Sequence, residues 1–352
     1  MKAKVAIVSL RCNPAFIQHL IAYAKAVTEL GHEVVLLLDP AYQHFTELRE
    51  VAPILEPGAN LCADSWTHAV FLNVALENRE LADALRHQNT KILYVYHEPW
   101  QMSVSYLFGE GIKSTLKAIL AHRTTIPMLR IANMVILESQ FGLEAYQGSD
   151  ARFNGACTSF PQIYDDEAPN DLPSLLAPKR YFAFIGALCH SHGFDQFVTF
   201  MQNSLEQGKN VTFLIASRNP FPAHILRSAR LRPNLGNIEI RCGQPLTNDE
   251  MNRCYAESFC VWNIYRRSTQ SGVLPKAFMF GTPVIASKLG SFPEYIEEGV
   301  NGRFATAEDH QGIQKALEEI RRNIGTYAAN CRRTFVDTFF YRSRLTDLER
   351  LL

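Results

Sequence analysis

Two successive series of short apolar runs, each run followed by a helical pattern, constrain this chain more than any other feature. The first series is KVAIVSL, EVVLLLD, HAVFLN, KILYVYH and NMVILES; the second is RYFAFIGAL, VTFLIAS, NIEIRC, FCVWNIY and TPVIAS. The first series lacks period-two alternation, so its members read as strands covered on both faces, as in a parallel sheet. Between the first two runs, Phe16, Leu20, Ala24, Val27 and Leu30 recur at three- or four-residue steps and stop at Gly31. That is the pattern of an amphipathic helix with a glycine C-cap. The alternation predicts an α/β protein built from doubly wound sheets.

Between the two series, DDEAPNDLPSLLAPK (Asp165–Lys179) has no periodicity and carries Pro169, Pro173 and Pro178. It reads as a linker. The expected layout is a domain over 1–165, a linker over 166–179, a second domain over 180–333, and a C-terminal helix over 334–352 packing back across the junction. A chain of 352 residues is also long for one core. In open α/β sheets, ligands bind beyond the C-terminal strand ends, so two such domains imply a cleft between them as the default site.

Lys+Arg and Asp+Glu each number 35. No global field therefore points to nucleic acid, and any anion must be recognised locally. The eight cysteines include no CxxC pair and no zinc-ligand spacing. Cys260, inside FCVWNIY, behaves as a core hydrophobe, which suits a reduced, cytoplasmic setting. MKAKVAIVSL is too short for a signal peptide, and no run approaches the roughly 18 apolar residues of a spanning helix. The expectation is a soluble or peripheral protein.

The segments just after the strands carry the chemistry. RRSTQSG follows FCVWNIY, and a helix containing Lys276 starts near Gly272. Free N–H groups at a helix start attract anions. Gly272 permits close approach, Ser268, Thr269 and Ser271 offer hydroxyls, and Lys276 is either a cation for a phosphate or an incidental lysine at a structural turn. The same positional rule adds Gly186, Arg218, Asn219, Gln244 and Val273. In YVYHEPW, His97 is a structural histidine or a sugar contact. Glu98 is a base, a cap partner or an acceptor contact, and Trp100 beside them is an expected acceptor contact.

GTPVIAS (Gly281–Ser287) followed by GSFPEYIEEGVNGRF (Gly290–Phe304) resembles the donor-domain signature of retaining GT-B glycosyltransferases of the family-four type. The tight match covers about forty residues. The resemblance implies a GT-B fold of two Rossmann-like domains facing across a cleft, and a nucleotide-diphosphate-sugar donor held mostly by the second domain. It also implies a glycan or lipid-linked acceptor on the first domain, retention of configuration, and no required metal or other cofactor. It places His97 where a family histidine touches the donor sugar.

The resemblance also exposes departures. The family's Glu-x7-Glu pair, which contacts sugar and ribose, falls on Ser268 and Lys276. The arginine and lysine that grip the diphosphate fall on Ala187 and His192 of GALCHSHG. The usual Gly-x-Gly turn stands as Ser217, Arg218, Asn219, and a Gly-Gly loop stands as Arg11, Cys12, Asn13, Pro14. Two readings follow: the diphosphate charge is met by Lys276, with Arg218 and a protonated His192 assisting, or donor binding has decayed. Arg11, with Asn13, binds an anionic acceptor or is merely exposed. The stretch 111–131 mixes Lys113, Lys117, His122, Arg123 and Arg130 with apolar residues, and is either a peripheral membrane contact or a solvated face. The expected function is glycosyl transfer; the alternative is a non-catalytic homologue serving as a nucleotide-sugar-binding or partner subunit.

Overall fold

The computed structural model describes residues 2–56, 65–97, 123–149, 155–168, 178–228 and 232–352. The chain divides into two compact units, Met1–Asp165 with Thr338–Leu352, and Asp166–Asp337.

The first unit runs β1 (Lys4–Ser9), α1 (Ile17–Glu29), β2 (Glu33–Leu38), α2 (Thr46–Val51), β3 (Ile54–Leu55), β4 (His68–Phe71), α3 (Asn78–His87), β5 (Lys91–Tyr96), β6 (Met134–Leu137), α4 (Gln140–Gln147) and β7 (Ala156–Ser159). The strands form one sheet in the order β3-β2-β1-β4-β5-β6-β7, and every pair is parallel. Successive residues serve opposite faces. Val5 and Ile7 pack with α1 on one side, while Ala6, Val8, Phe71 and Tyr94 form the core of the other. Burial of both faces explains the absent period-two signal. Helix α1 ends as its glycine predicts: Gly31 has φ +78°, and His32 N–H donates to the Val27 carbonyl at 3.1 Å.

The tail closes this unit, though not as one helix. Phe335–Phe339 is a π-helical turn, Tyr341–Arg344 a 3-10 turn, and only Leu345–Leu351 (α10) is α-helical. The interruption has a cause. Phe340 adopts an extended backbone so that Tyr164 and Phe340 pair as a parallel bridge, with Tyr164 N–H to Phe339 O at 2.8 Å and Tyr341 N–H to Tyr164 O at 3.0 Å. Tyr341 and Leu348 then enter the core beside α1, and the Tyr341 hydroxyl donates to Glu29 at 3.0 Å.

The second unit runs β8 (Tyr181–Ile185), α5 (Phe194–Glu206), β9 (Thr212–Ser217), β10 (Ile238–Cys242), α6 (Asn248–Ala256), β11 (Ser258–Asn263), α7 (Val273–Met279), β12 (Val284–Ala286), β13 (Gly302–Phe304), α8 (His310–Arg322) and α9 (Ile324–Thr334). Its sheet order is β10-β9-β8-β11-β12-β13, again all parallel. One face is aromatic: Phe182, Phe184, Phe197, Phe200, Phe213 and Trp262 are all buried. Their rings meet edge-on or tilted, as Phe182 and Phe200 do at 5.8 Å.

Three consecutive acids mark where the units part. Asp165 accepts from Lys25 of the first unit at 2.5 Å. Asp166 is held by Arg332 and Glu167 by Lys276, both in the second unit. The other described end of the expected linker is anchored too. Lys179 donates to the carbonyls of Ala256 (3.2 Å), Ser258 (3.3 Å) and Phe280 (3.0 Å) and to the Thr282 hydroxyl (2.8 Å). One ammonium, sharing its three N–H groups among these four oxygens, thereby ties together the ends of α6 and α7 and the start of β11. Replacing it strands those oxygens. Lys179→Met is expected to destabilise the second unit by about 3 kcal/mol, read as a lower urea midpoint for that unit's transition; an unchanged midpoint refutes the bracing role.

Candidate functional site

Each sheet reverses strand order once, between β1 and β4 and between β8 and β11. Those reversals are where a doubly wound sheet leaves an open crevice.

In the second unit, three loops interlock at the reversal. The β8–α5 loop leaves the sheet through Gly186 (φ +126°) and returns at Gly193 (φ +68°). A Cβ at Gly193 would lie 2.4 Å from the Ile264 carbonyl oxygen, so only glycine lets this loop close on β11. The Arg266 N–H donates to the Ser191 carbonyl at 2.9 Å, and the His192 ring stacks on Tyr265 at 4.5 Å and 12°. On the other side, a Cβ at Gly290 would lie 2.2 Å from the Ser268 carbonyl oxygen, and Ser291 N–H donates to Thr269 at 3.0 Å. The glycine of GSFPEY thus seats the β11–α7 loop.

Gly186, His192, Ser268, Thr269, Ser271, Gly272 and Val273 all fall in these loops; Gly186 and Val273 are neighbours, 3.8 Å apart from the glycine's Cβ position. The expected chemistry of several is different. The Ser268 hydroxyl donates to the Gln270 carbonyl at 2.6 Å, and Thr269 is buried. Ser271, just before the N-cap Gly272, occupies the first N–H groups of α7: Val273 N–H donates to its hydroxyl at 3.3 Å and Leu274 N–H to its carbonyl at 3.3 Å. The start of α7 is therefore not an open row of N–H groups. Arg218 and Asn219 are exposed after β9, where Asn219 N–H donates to Ser217 Oγ at 3.1 Å. Gln244 lies at the sheet edge beyond β10, in a groove of about 570 Å³ with Arg241, Glu250 and Arg253.

Lys276 is the main correction. Its ammonium lies between α6 and the Asp166–Glu167 segment, donating to Glu167 and to Asn252 Oδ1 (3.1 Å), with the residue only 8% exposed. Asn248 and Asn252 donate to the same carboxylate at 2.7 and 3.0 Å. It is neither a snorkelling surface lysine nor a cation turned to the strand-end loops; the partly buried Glu167 carboxylate pairs with it. Removing one partner leaves a buried charge. Lys276→Ala should cost roughly 3 kcal/mol of unit stability, and Lys276→Met with Glu167→Gln should cost less than Lys276→Ala alone. Urea unfolding checks this; additive losses would contradict the pairing.

Sequence reasoning missed two groups here. Arg266 forms a bidentate pair with Asp195 in the first turn of α5, Nη1 to Oδ1 at 2.5 Å and Nη2 to Oδ2 at 2.7 Å. The Arg266–Arg267 doublet directly after a strand was the available signal. Cys189, half-buried, lies 3.2 Å from the Ser191 hydroxyl. Burial pushes its thiol up, but hydrogen bonds from His192 and Ser191 and the His192 charge outweigh it and bring it down to about 7. Burial instead drives Cys242 to about 11 and raises Cys254. Because the thiolate is the nucleophile, iodoacetamide labelling of Cys189 should rise with pH, reach half its maximum near pH 7 and then level off. Peptide mass spectrometry would reject this if labelling only climbed above pH 8.

In the first unit, the β1 and β4 ends share a buried network. Asn73 Nδ2 donates to Ser9 Oγ (2.8 Å) and the Arg11 carbonyl (2.6 Å), Ser9 Oγ lies 2.9 Å from the Tyr42 hydroxyl, and Asn13 N–H donates to that hydroxyl at 3.0 Å. Asn13 Oδ1 caps the following turn by accepting from Ala15 N–H, while Arg11 is exposed. His97 bridges strand ends: Nδ1 lies 2.6 Å from Glu138 Oε2 and Nε2 2.5 Å from the Leu72 carbonyl. Each ring nitrogen thus faces an oxygen of the scaffold. His97 is thereby tied into the scaffold at the strand ends. Gln162 also donates to Glu138, and Tyr164 to Gln162. Glu98 and Trp100 lie outside the described residues, as do residues 111–122 of the basic stretch. Over its described part, Met128, Leu129 and Ile131 belong to the first unit's core. Among the described residues, no helix is long and apolar enough to cross a membrane, and no His/Cys/Asp/Glu group could hold a metal ion.

Residues 179–323 match the family described as "Glycosyl transferases group 1". Solved structures align along almost the whole chain. Sucrose-phosphate synthase from Thermosynechococcus elongatus has a TM-score of 0.70 at 15% identity, covering 99% of this chain and 98% of its own. Anabaena Alr3699/HepE in complex with UDP gives 0.69 at 17% identity, covering 100% and 99%. TarM gives 0.73 at 10% identity, covering 100% and 99%. The fold is GT-B. No curated protein sequence matches the chain. The family match lies within the second unit, from just before β8 to just past α8.

Proposed function

We propose that this GT-B protein transfers a sugar from a nucleotide-diphosphate sugar to a glycan or lipid-linked glycan, with retention of anomeric configuration. The family match over residues 179–323 carries this reading. The strand-end loops of the second unit support it: a glycine-only backbone at Gly186, close loop-to-strand packing at Gly193, and arginine and histidine side chains around them. Departure of a nucleoside diphosphate develops negative charge, which preorganised cations and N–H groups stabilise; the acceptor hydroxyl then attacks from the same face. In this reading protein groups meet the diphosphate charge and no metal is needed. Uridine is the expected base, because the similar HepE structure holds UDP. The site would work in the cytoplasm, at the inner membrane face if the acceptor is lipid-linked.

One observation favours a second reading, a non-catalytic subunit that binds nucleotide sugars. Position 276, where the resemblance puts a ribose-holding glutamate, is taken up by the Lys276–Glu167 pair. A plate of nucleoside diphosphates and nucleotide sugars separates the possibilities. A ligand at 100 times its dissociation constant stabilises by about 2.7 kcal/mol, so a uridine compound should raise the melting midpoint by several degrees. Donor hydrolysis or transfer, followed by NMR of the anomeric proton, then tests catalysis and retention. Binding without any turnover leaves the subunit reading; no binding at all removes both.

A further inference from the structure

The reversal between β8 and β11 places a cation across both of its loops. Arg266 is fixed by its own N–H on the Ser191 carbonyl, and its guanidinium reaches the first turn of α5. There it makes the bidentate pair with Asp195, and Nη1 also donates to the His190 carbonyl at 2.9 Å and lies 3.1 Å from His190 Nδ1. Since a guanidinium only donates, that nitrogen accepts, leaving Nε2 as the protonated one. The Asp195 side chain is 55% exposed and that of Arg266 29%, so the pair sits on the rim and not in the core. Exposed pairs contribute little to stability and exchange readily.

Asp195 offers a planar pair of oxygens to Arg266 within the first turn of a thirteen-residue helix, whose dipole also favours an anion. A phosphate group presents the same charge and the same two-oxygen edge to a guanidinium. Two buried groups nearby have unmet hydrogen-bonding capacity among the described residues. The Trp262 indole N–H, 1% exposed, lies 3.4 Å from the Cβ position of Gly193, where α5 begins, and both amide atoms of fully buried Asn263, the last residue of β11, lack partners. Polar atoms left unpaired at this depth are costly.

We propose that Arg266 is the diphosphate-binding cation of the second unit, and that Asp195 is its exchangeable counter-ion, displaced when the donor's diphosphate arrives. This rests on the glycosyl-transfer reading. It supplies the cation that Ala187, His192 and Lys276 do not.

Calorimetry of the full chain with UDP, and separately with inorganic pyrophosphate, tests it. Arg266→Gln should weaken both ligands about tenfold or more, and Asp195→Asn should tighten both several-fold by removing the competitor. The Asp195→Asn arm stands even if Arg266→Gln folds poorly. Equal affinity in wild type and Arg266→Gln, or no gain or a loss in Asp195→Asn, overturns the assignment of Arg266 while leaving sugar transfer intact. If neither wild type nor Asp195→Asn binds UDP or pyrophosphate, the transfer reading falls and this proposal with it.

Discussion

The parallel pairing of β8 with β11, Phe182 with Cys260 and Ala183 with Val261, joins strands that are distant in sequence and leaves their following loops side by side. Strands on either side of this pair run outward in opposite orders, so helices cannot cover the ends of both at once. The loops must then cover each other. Gly193 and Gly290 make that contact feasible by removing a Cβ where a carbonyl oxygen sits, and His192 on Tyr265 fills the space between. The site is thus a consequence of sheet order, and the glycines are the local concession that order demands.

Charge is handled pair by pair. With 35 basic and 35 acidic residues the chain has no field to spare, and four of its described cations are each matched by a carboxylate. Lys276 is held by Glu167, Arg332 by Asp166, Lys25 by Asp165 and Arg266 by Asp195. These pairs differ in kind. Glu167–Lys276 is largely shielded from water and braced by Asn248 and Asn252, so exchanging it would leave a poorly hydrated charge uncompensated. Arg266–Asp195 is on the rim, where water can replace either partner. Burial, more than residue type, separates a bracing pair from an exchangeable one.

The fold was legible because burying both sheet faces writes itself into the chain as apolar runs, and ten such runs locate ten of the strands. The short strands β3, β7 and β13 were not visible, since two to four residues carry too little pattern. The tail was read as one helix because its apolar spacing is helical. The bridge to Tyr164 breaks it, and that competing hydrogen bond comes from far along the chain.

Of the site, the sequence by itself determined the strand-end positions, the glycines and the kind of side chains gathered there. What each side chain does was decided by tertiary structure. Lys276 looked like a phosphate ligand until Glu167, 109 residues away, occupied it; His97 looked like a sugar contact until Glu138 and Leu72 engaged its nitrogens. Arg266 drew no notice until β8 and β11 brought Asp195 within reach. A local pattern encodes which backbone a segment adopts, because dihedral preference and burial are local or periodic. The partner of a charge is set by chain closure over long separations, and no window of sequence contains it.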